Sequence, residues 1–163
     1  MVHIGPAAPA DIPALATLMS EMDAFYGDPT PPSPPEHRHT QIHNALFGPH
    51  PAAITRLAWD HDPRSGPAAQ LLGFATFSFL WPAAGITRSL FVKELYIRET
   101  HRRTGLGTQL MLVVIAFAND HQCSRVDLTT DGNSTAHAFY HALGFAHTDK
   151  GFHRLEGLTH QTA

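Results

Sequence analysis

One change of hydrophobic period in the second half of the chain limits most strongly what this protein can fold into. Over 89–98 the side chains alternate in two rows, which predicts a β-strand. Over 107–119 apolar residues recur at every third or fourth position, which predicts an amphipathic helix. The turn between them, Arg102 to Thr108, carries two glycines. The chain therefore contains a strand, a glycine turn and a long helix in direct succession.

The other segments predict a mixed α/β chain built as packed layers. A proline-rich stretch at 28–35 can form neither a helix nor a paired strand, so we expect an extended connector there. The predicted elements, in order, are a strand at 2–4, helices at 11–26 and 36–47, strands at 53–59, 70–81 and 89–98, a helix at 107–119, a strand at 126–129, a helix at 134–143, and two closing strands at 145–147 and 151–158.

Length and composition exclude several classes of protein. The 163 residues suit one domain, which we expect to span 1–163, and a net charge of -3 does not fit a nucleic-acid binder. No apolar run approaches the roughly 18 residues of a membrane span, and the N-terminus has no signal-peptide pattern. His37, His39 and His43 are unlike usual metal ligand sets, which include carboxylates or thiolates. We expect a cytoplasmic protein without nucleic-acid, membrane or metal partners.

The glycine turn is the clearest candidate for a binding site. A turn that opens a helix presents several backbone N–H groups in one direction, and the helix dipole adds partial positive charge, so phosphates fit there. Gly105 and Gly107 would allow close approach, and Arg102 and Arg103 would add charged donors. The alternative is an ordinary turn with two solvated arginines, and neither standard nucleotide-binding fingerprint is present.

Two motifs in this order resemble the GNAT superfamily of N-acetyltransferases. The first is Arg102-x-x-Gly105-x-Gly107 after the predicted strand, and the second is the run from Asn133 to Phe145, Asn-x-x-Ala-x-x-Phe-Tyr-x-x-Leu-Gly-Phe. The resemblance implies a mixed α/β fold, with a mostly antiparallel sheet that is splayed at the cofactor site and helices on both faces. It also implies an acetyl-CoA-dependent enzyme that releases CoA, and a homodimer.

The resemblance also implies roles for individual residues. The backbone at 95–97 would pair with the pantetheine arm, and the turn at 102–108 would hold the pyrophosphate. Tyr140 would act as the general acid that protonates the departing thiolate, although an aromatic residue that packs on a helix is the alternative. The residues expected at the cofactor are Leu95, Tyr96, Ile97, Arg102, Arg103, Thr104, Gly105, Leu106, Gly107, Thr108, Asn133, Ala136, Phe139 and Tyr140.

The reaction also needs a base, because an amine that is protonated at neutral pH cannot attack a thioester. Glu94 is the candidate, since it lies among mostly apolar strand neighbours and is expected to point into a cleft with a raised pKa. The strand period places Lys93 on the opposite face. A surface glutamate, or one paired with an arginine, is the alternative, and a histidine or a water chain could serve as the base instead.

Acceptor recognition is expected on the first two helices, the connector and the loop after Trp81. Aromatic and acidic side chains there would suit a small cationic amine, although the aromatic residues could equally be core or dimer contacts. The candidate acceptor-binding residues are Tyr26, Asp28, Glu36, Trp81 and Glu94.

The resemblance is greatest to the diamine and polyamine acetyltransferases, on the segments 73–75 and 93–97, although residues 132–135 depart from that branch's second motif. It therefore implies acetyl transfer to a primary amine of a small molecule by direct attack in a ternary complex. A protein or peptide N-acetyltransferase is the alternative within the enzyme class. A non-catalytic CoA-binding sensor or partner module is the alternative outside it.

Overall fold

The computed structural model describes residues 1–28, 33–66, 68–132 and 134–158, in two compact units, Met1–Thr129 and Thr130–Ala163. Within these described ranges, the first unit contains five strands and three α-helices, and the second contains one α-helix. The elements are β1 His3–Pro6, α1 Ile12–Tyr26, α2 Pro35–Phe47, β2 Ile54–Trp59, β3 Leu71–Ala83, β4 Thr87–Ile97, α3 Leu106–Asp120, β5 Cys123–Leu128 and α4 Ala136–Ala142.

The five strands form one sheet in the order β1-β2-β3-β4-β5. Each neighbouring pair is antiparallel except β4 and β5, which are parallel. Helix α3 connects these two strands, as a parallel connection requires. The predicted mixed α/β fold with a mostly antiparallel sheet is therefore confirmed.

Strands β4 and β5 pair over only part of their length. Their register runs from Arg88 opposite Cys123 to Val92 opposite Leu128. Beyond Val92, β4 continues to Ile97 and pairs with β3 alone in the described part of the chain. The sheet thus opens at 93–97, where one edge of β4 offers backbone groups to another partner.

Helices cover both faces of the sheet because neighbouring strand residues point to opposite sides. Leu57 and Phe74 pack with Leu15 and Leu18 of α1 on one face, where α2 also contributes apolar side chains. On the other face, Leu106 of α3 packs with residues of β2 and β3. None of the helices in the described ranges is long and apolar enough to cross a membrane.

The two predicted closing strands are wrong. Residues 145–147 and 151–158 form no strand, and the helix predicted at 134–143 is limited to Ala136–Ala142. The apolar residues of the segment 151–158 are exposed, namely Phe152, Leu155 and Leu158. An alternating pattern shows only that a segment is able to pair, and the described residues of the second unit contain no strand that could be its partner.

Gly73 of β3 is required where β3 meets the open end of β4. It lies opposite Ile97, and a methyl group on Gly73 would lie 2.8 Å from the carbonyl oxygen of Tyr96. We therefore expect Gly73→Ala to lower the free energy of unfolding by about 1–3 kcal/mol through overpacking, as measured by urea denaturation. Gly66→Ala is the matched control, because a methyl group there meets open space. Equal losses in the two variants would contradict this packing constraint.

Candidate active site

Glu94 lies on the open part of β4, on the face that α1 covers. It pairs with Thr76, and Tyr96, two residues further along, shares its face and packs against α1. The Glu94 side chain is 32% exposed. Partial burial raises its pKa above the ordinary value; Lys93 opposes this shift, whereas the carboxylates of Asp23 and Asp28 add to it. Glu94 is therefore a partly desolvated carboxyl group with a raised proton affinity.

Lys93 does not face away from Glu94, so this expectation is wrong. Its Nζ lies 3.9 Å from Oε1 of Glu94. The cause is a β-bulge: Thr76 pairs with Glu94 but the next residue of β3, Phe77, pairs with Val92, so β4 holds one extra residue. The bulge breaks the alternation on which the expectation depended, and it re-aims the side chains just where β4 leaves β5.

The C-terminal end of α1 brings aromatic rings and carboxylates towards this part of β4. The Phe25 ring lies edge-on to Tyr26 at 5.2 Å and to Tyr96 at 6.2 Å between centroids. Phe25 and Tyr26 are each about half exposed, and Asp23 and Asp28 lie close enough to act on the Glu94 pKa. No motif in the sequence singled out Phe25, so its position here was missed.

Two arginines after β4 point to α1 and to the strand itself. Arg98 Nη2 donates to Glu21 Oε1 at 2.9 Å. Arg102 Nε donates to the carbonyl oxygen of Ile97 at 2.9 Å, and its guanidinium carbon lies 4.0 Å from the centre of the Phe25 ring. Both side chains therefore have partners within the protein, including Arg102, which the sequence placed near phosphate. The neighbouring Arg103 is exposed, with its backbone in the left-handed region at φ 60°.

The start of α3 has the geometry of an anion site. Gly105 precedes the helix at φ 84°, and a side chain there would meet no atom within 4 Å. No side chain caps the first turn in the described part of the chain, and the helical ladder begins with the Gln109 N–H bonded to the Gly105 carbonyl oxygen at 3.0 Å. The N–H groups at 106–108 therefore lie in the uncapped first turn. The Leu106 side chain is buried, so only its backbone is placed for a ligand.

In the second unit, α4 carries Ala136, Phe139 and Tyr140. The Tyr140 ring lies edge-on to Phe139 at 4.9 Å and to Phe145 at 5.7 Å between centroids. These contacts fix the ring on the helix and at the turn that follows it. Asn133, the first residue of the second motif, lies outside the described residues.

Two further acceptor candidates lie on β3 and α2. Trp81 is 70% exposed near the end of β3, about 17 Å along the strand from Thr76, the partner of Glu94, at the usual strand rise. Glu36 is exposed in the first turn of α2. Within the described ranges, no group of three His, Cys, Asp or Glu side chains could hold a metal ion.

Comparison with protein families gives a match to the model described as Acetyltransferase (GNAT) family, over residues 16–145. None of the curated proteins compared with the chain matches it. Among solved structures, an integron cassette protein from the mobile metagenome of V. cholerae is 27% identical, with a TM-score of 0.77 over 96% of this chain and 93% of that one.

Two solved acetyltransferases share the fold at lower identity. The ribosomal-protein-alanine N-acetyltransferase of Brucella melitensis biovar Abortus 2308 is 19% identical, with a TM-score of 0.75 over 96% of this chain and 100% of that one. An aminoglycoside acetyltransferase from an uncultured soil metagenomic sample is 16% identical, with a TM-score of 0.74 over 97% of each chain.

Proposed function

The chain belongs to the GNAT acetyltransferase family and is an acyltransferase, and we propose that it transfers the acetyl group of acetyl-CoA to a primary amine of a small molecule. The proposal treats 1–163 as one acetyltransferase domain. The observation that carries it is the half-buried Glu94 carboxyl on the stretch of β4 where the sheet opens. In this proposal Glu94 is the base, beside the strand edge that would bind the cofactor.

The residues present fit acetyl-CoA, which enzymes of this family generally use. The free edge of β4 at 95–97 would pair with the amide groups of the pantetheine arm, as an added strand does. The uncapped N–H groups at 106–108, the space beside Gly105 and the exposed Arg103 would receive the pyrophosphate. Bound acetyl-CoA supplies an activated thioester.

The chemistry then requires two groups of this chain that transfer protons, a base and an acid. Glu94 takes the proton of the acceptor ammonium, directly or through a water molecule, so that the nitrogen gains a free electron pair. That pair would form the bond between nitrogen and the acetyl carbon, while the bond from this carbon to sulfur would break. Tyr140 would give its hydroxyl proton to the departing sulfur, and the second proton of the acylated nitrogen would restore the Tyr140 hydroxyl, so the products are the acetamide and CoA. Glu94 would release its proton to solvent. No covalent intermediate with the protein is needed.

The surroundings of Glu94 favour a small, positively charged acceptor. The carboxylates of Asp23 and Asp28 act on the same site, and the half-exposed Tyr26 ring offers an aromatic face that attracts cations, whereas the Phe25 ring already contacts the Arg102 guanidinium. Tyr26, Asp28, Glu36 and Glu94 are therefore proposed as acceptor residues, whereas Trp81 is left out because of its distance along β3. We further propose that the protein is a cytoplasmic homodimer, in which the exposed Trp81 would be a contact residue.

Cofactor binding and turnover are tested in two steps. Saturating acetyl-CoA should raise the melting temperature, since a ligand at about 100 times its Kd stabilises the native state by about 2.7 kcal/mol. Thiol release should then follow with small diamines and other primary amines. The absence of any thermal shift would contradict acetyl-CoA binding. A shift without thiol release on any acceptor would indicate a CoA-binding module, and release only with peptides would indicate a peptide N-acetyltransferase.

A further inference from the structure

We propose that Phe25 and Arg102 are positioning residues, which fasten the turn at 102–108 to helix α1, and that Arg102 supports cofactor binding through this contact rather than through a bond to phosphate. The proposal rests on the proposed function, because it concerns how the acetyl-CoA site is held. It departs from the role that the sequence motif implied for Arg102.

The partners of Arg102 account for its orientation. Its Nε donates to the Ile97 carbonyl oxygen at 2.9 Å, while the guanidinium carbon lies 4.0 Å from the Phe25 ring centre and 5.4 Å from that of Tyr96. Tyr96 is buried beneath these groups. These contacts hold Nε and the guanidinium plane against β4 and α1, so a bond from Nε to phosphate, or a rotation of the plane towards one, would break them.

A second contact repeats the first one turn earlier. Arg98 Nη2 bonds to Glu21 Oε1 at 2.9 Å, and these two residues precede Arg102 and Phe25 by four positions each. Since residues four apart share one face of a helix, Glu21 and Phe25 present one face of α1 to both arginines. Two contacts of this kind limit rotation of the turn more than either one does alone.

The contact between Arg102 and Phe25 also connects the cofactor side of the proposed site, at the turn 102–108, to its acceptor side, at α1. Asp23, which raises the pKa of Glu94, lies on α1 between Glu21 and Phe25. A shift of the turn would therefore be transmitted to the helix that shapes the acceptor side. Arg103, which is exposed beside Arg102, is then the residue left to meet phosphate by its charge.

Binding measurements separate the two roles of arginine. Lysine keeps the charge but loses the planar stacking group and the Nε donor. We expect Arg102→Lys and Phe25→Leu each to weaken acetyl-CoA binding about tenfold in calorimetry, and the double variant to weaken it no further. Arg103→Lys should bind as the wild type does, and Arg103→Gln should bind less tightly. A double variant about a hundredfold weaker, or an Arg102→Lys variant with wild-type affinity, would overturn the proposal.

Hydrogen exchange in the ligand-free protein provides a readout that does not depend on the cofactor. Arg102→Lys and Phe25→Leu should both speed exchange of the backbone amides at 103–108. Phe47→Leu, the same change at the end of α2, should leave these amides unchanged. If exchange at 103–108 is unchanged in all three variants, Phe25 and Arg102 do not fasten the turn to α1, and the proposal is overturned even if acetyl-CoA binds. If the wild type binds no acetyl-CoA, the proposed function fails while exchange still reports the contact.

Discussion

Replacing Glu94 by Gln should lower kcat by about 10²–10⁴-fold, the usual contribution of a general base. The amide cannot accept a proton, but it has nearly the same shape, so the β-bulge and the strand pairing around it are preserved. The affinity for acetyl-CoA should not change, because the cofactor is proposed to bind the edge of β4 and the turn at 102–108. Steady-state thiol release and calorimetry measure the two effects separately.

The pH dependence identifies the group that titrates. Burial and the neighbouring aspartates raise the pKa of Glu94, against the effect of Lys93. A base works only when it is ionised, so wild-type kcat/KM should rise with pH over a range above the ordinary glutamate pKa of about 4.3. Asp23→Asn removes one source of the raised pKa and should move this rise to lower pH. In Glu94→Gln the rise should disappear.

The same pKa shift predicts an effect on stability. Because folding raises the pKa of Glu94, the native state binds a proton there more tightly than the unfolded chain does. The resulting stability is complete below the unfolded pKa of about 4.3 and is lost as the pH rises through the raised value. Glu94→Gln should therefore melt at a higher temperature than the wild type at neutral pH, and this difference should vanish in acid.

Glu156→Gln is the matched control, since its carboxylate is exposed and lies in the second unit. It should change neither kcat nor the pH profile. If Glu94→Gln retained the turnover and the pH rise of the wild type, Glu94 would not be the base, and a histidine or a water chain would take that role. A loss of turnover together with a lower melting temperature would instead indicate structural damage.

Much of the fold followed from the sequence because the period of apolar residues reports which faces are buried. The prediction of helices at 11–26 and 36–47 and of strands at 53–59 and 89–98 agrees with α1, α2, β2 and β4. The prediction of the closing strands was wrong because strand pairing depends on a partner elsewhere in the chain, which no local pattern specifies. The predicted direction of Lys93 was wrong for a related reason, because the β-bulge there is a property of the register between β3 and β4.

In the candidate site, too, local features could be predicted from the sequence and long-range contacts could not. The turn at 102–108 could be found from its glycines, because the conformation before α3 favours a residue without a side chain. The directions of the Arg98 and Arg102 side chains could not be predicted from the sequence, because they depend on Glu21 and Phe25, about 77 residues away in the chain. Residue type thus indicated positive charge near the turn, but only the fold shows which arginines already have partners within the protein.

Replacing Tyr140 by Phe should lower kcat by about 10²-fold while leaving acetyl-CoA binding unchanged. The hydroxyl is the only group removed, so the ring keeps its packing against Phe139 and Phe145. A phenol is protonated at neutral pH and can donate to the departing sulfur. The loss should be smaller than for Glu94→Gln, because a thiolate leaves without full protonation, whereas an ammonium cannot attack at all.

The matched control for Tyr140 is His141→Gln, at an exposed position of the same helix. If a hydroxyl proton is what the reaction needs, His141→Gln should keep wild-type kcat, and Tyr140→Phe should lose it with an unchanged Kd for acetyl-CoA. Wild-type turnover in Tyr140→Phe would remove the general-acid role. A large loss in His141→Gln would instead identify a proton-transfer group one position along α4. Because the two variants alter neighbouring residues of one short helix, a general disturbance of α4 would lower both melting temperatures, and circular dichroism would detect it.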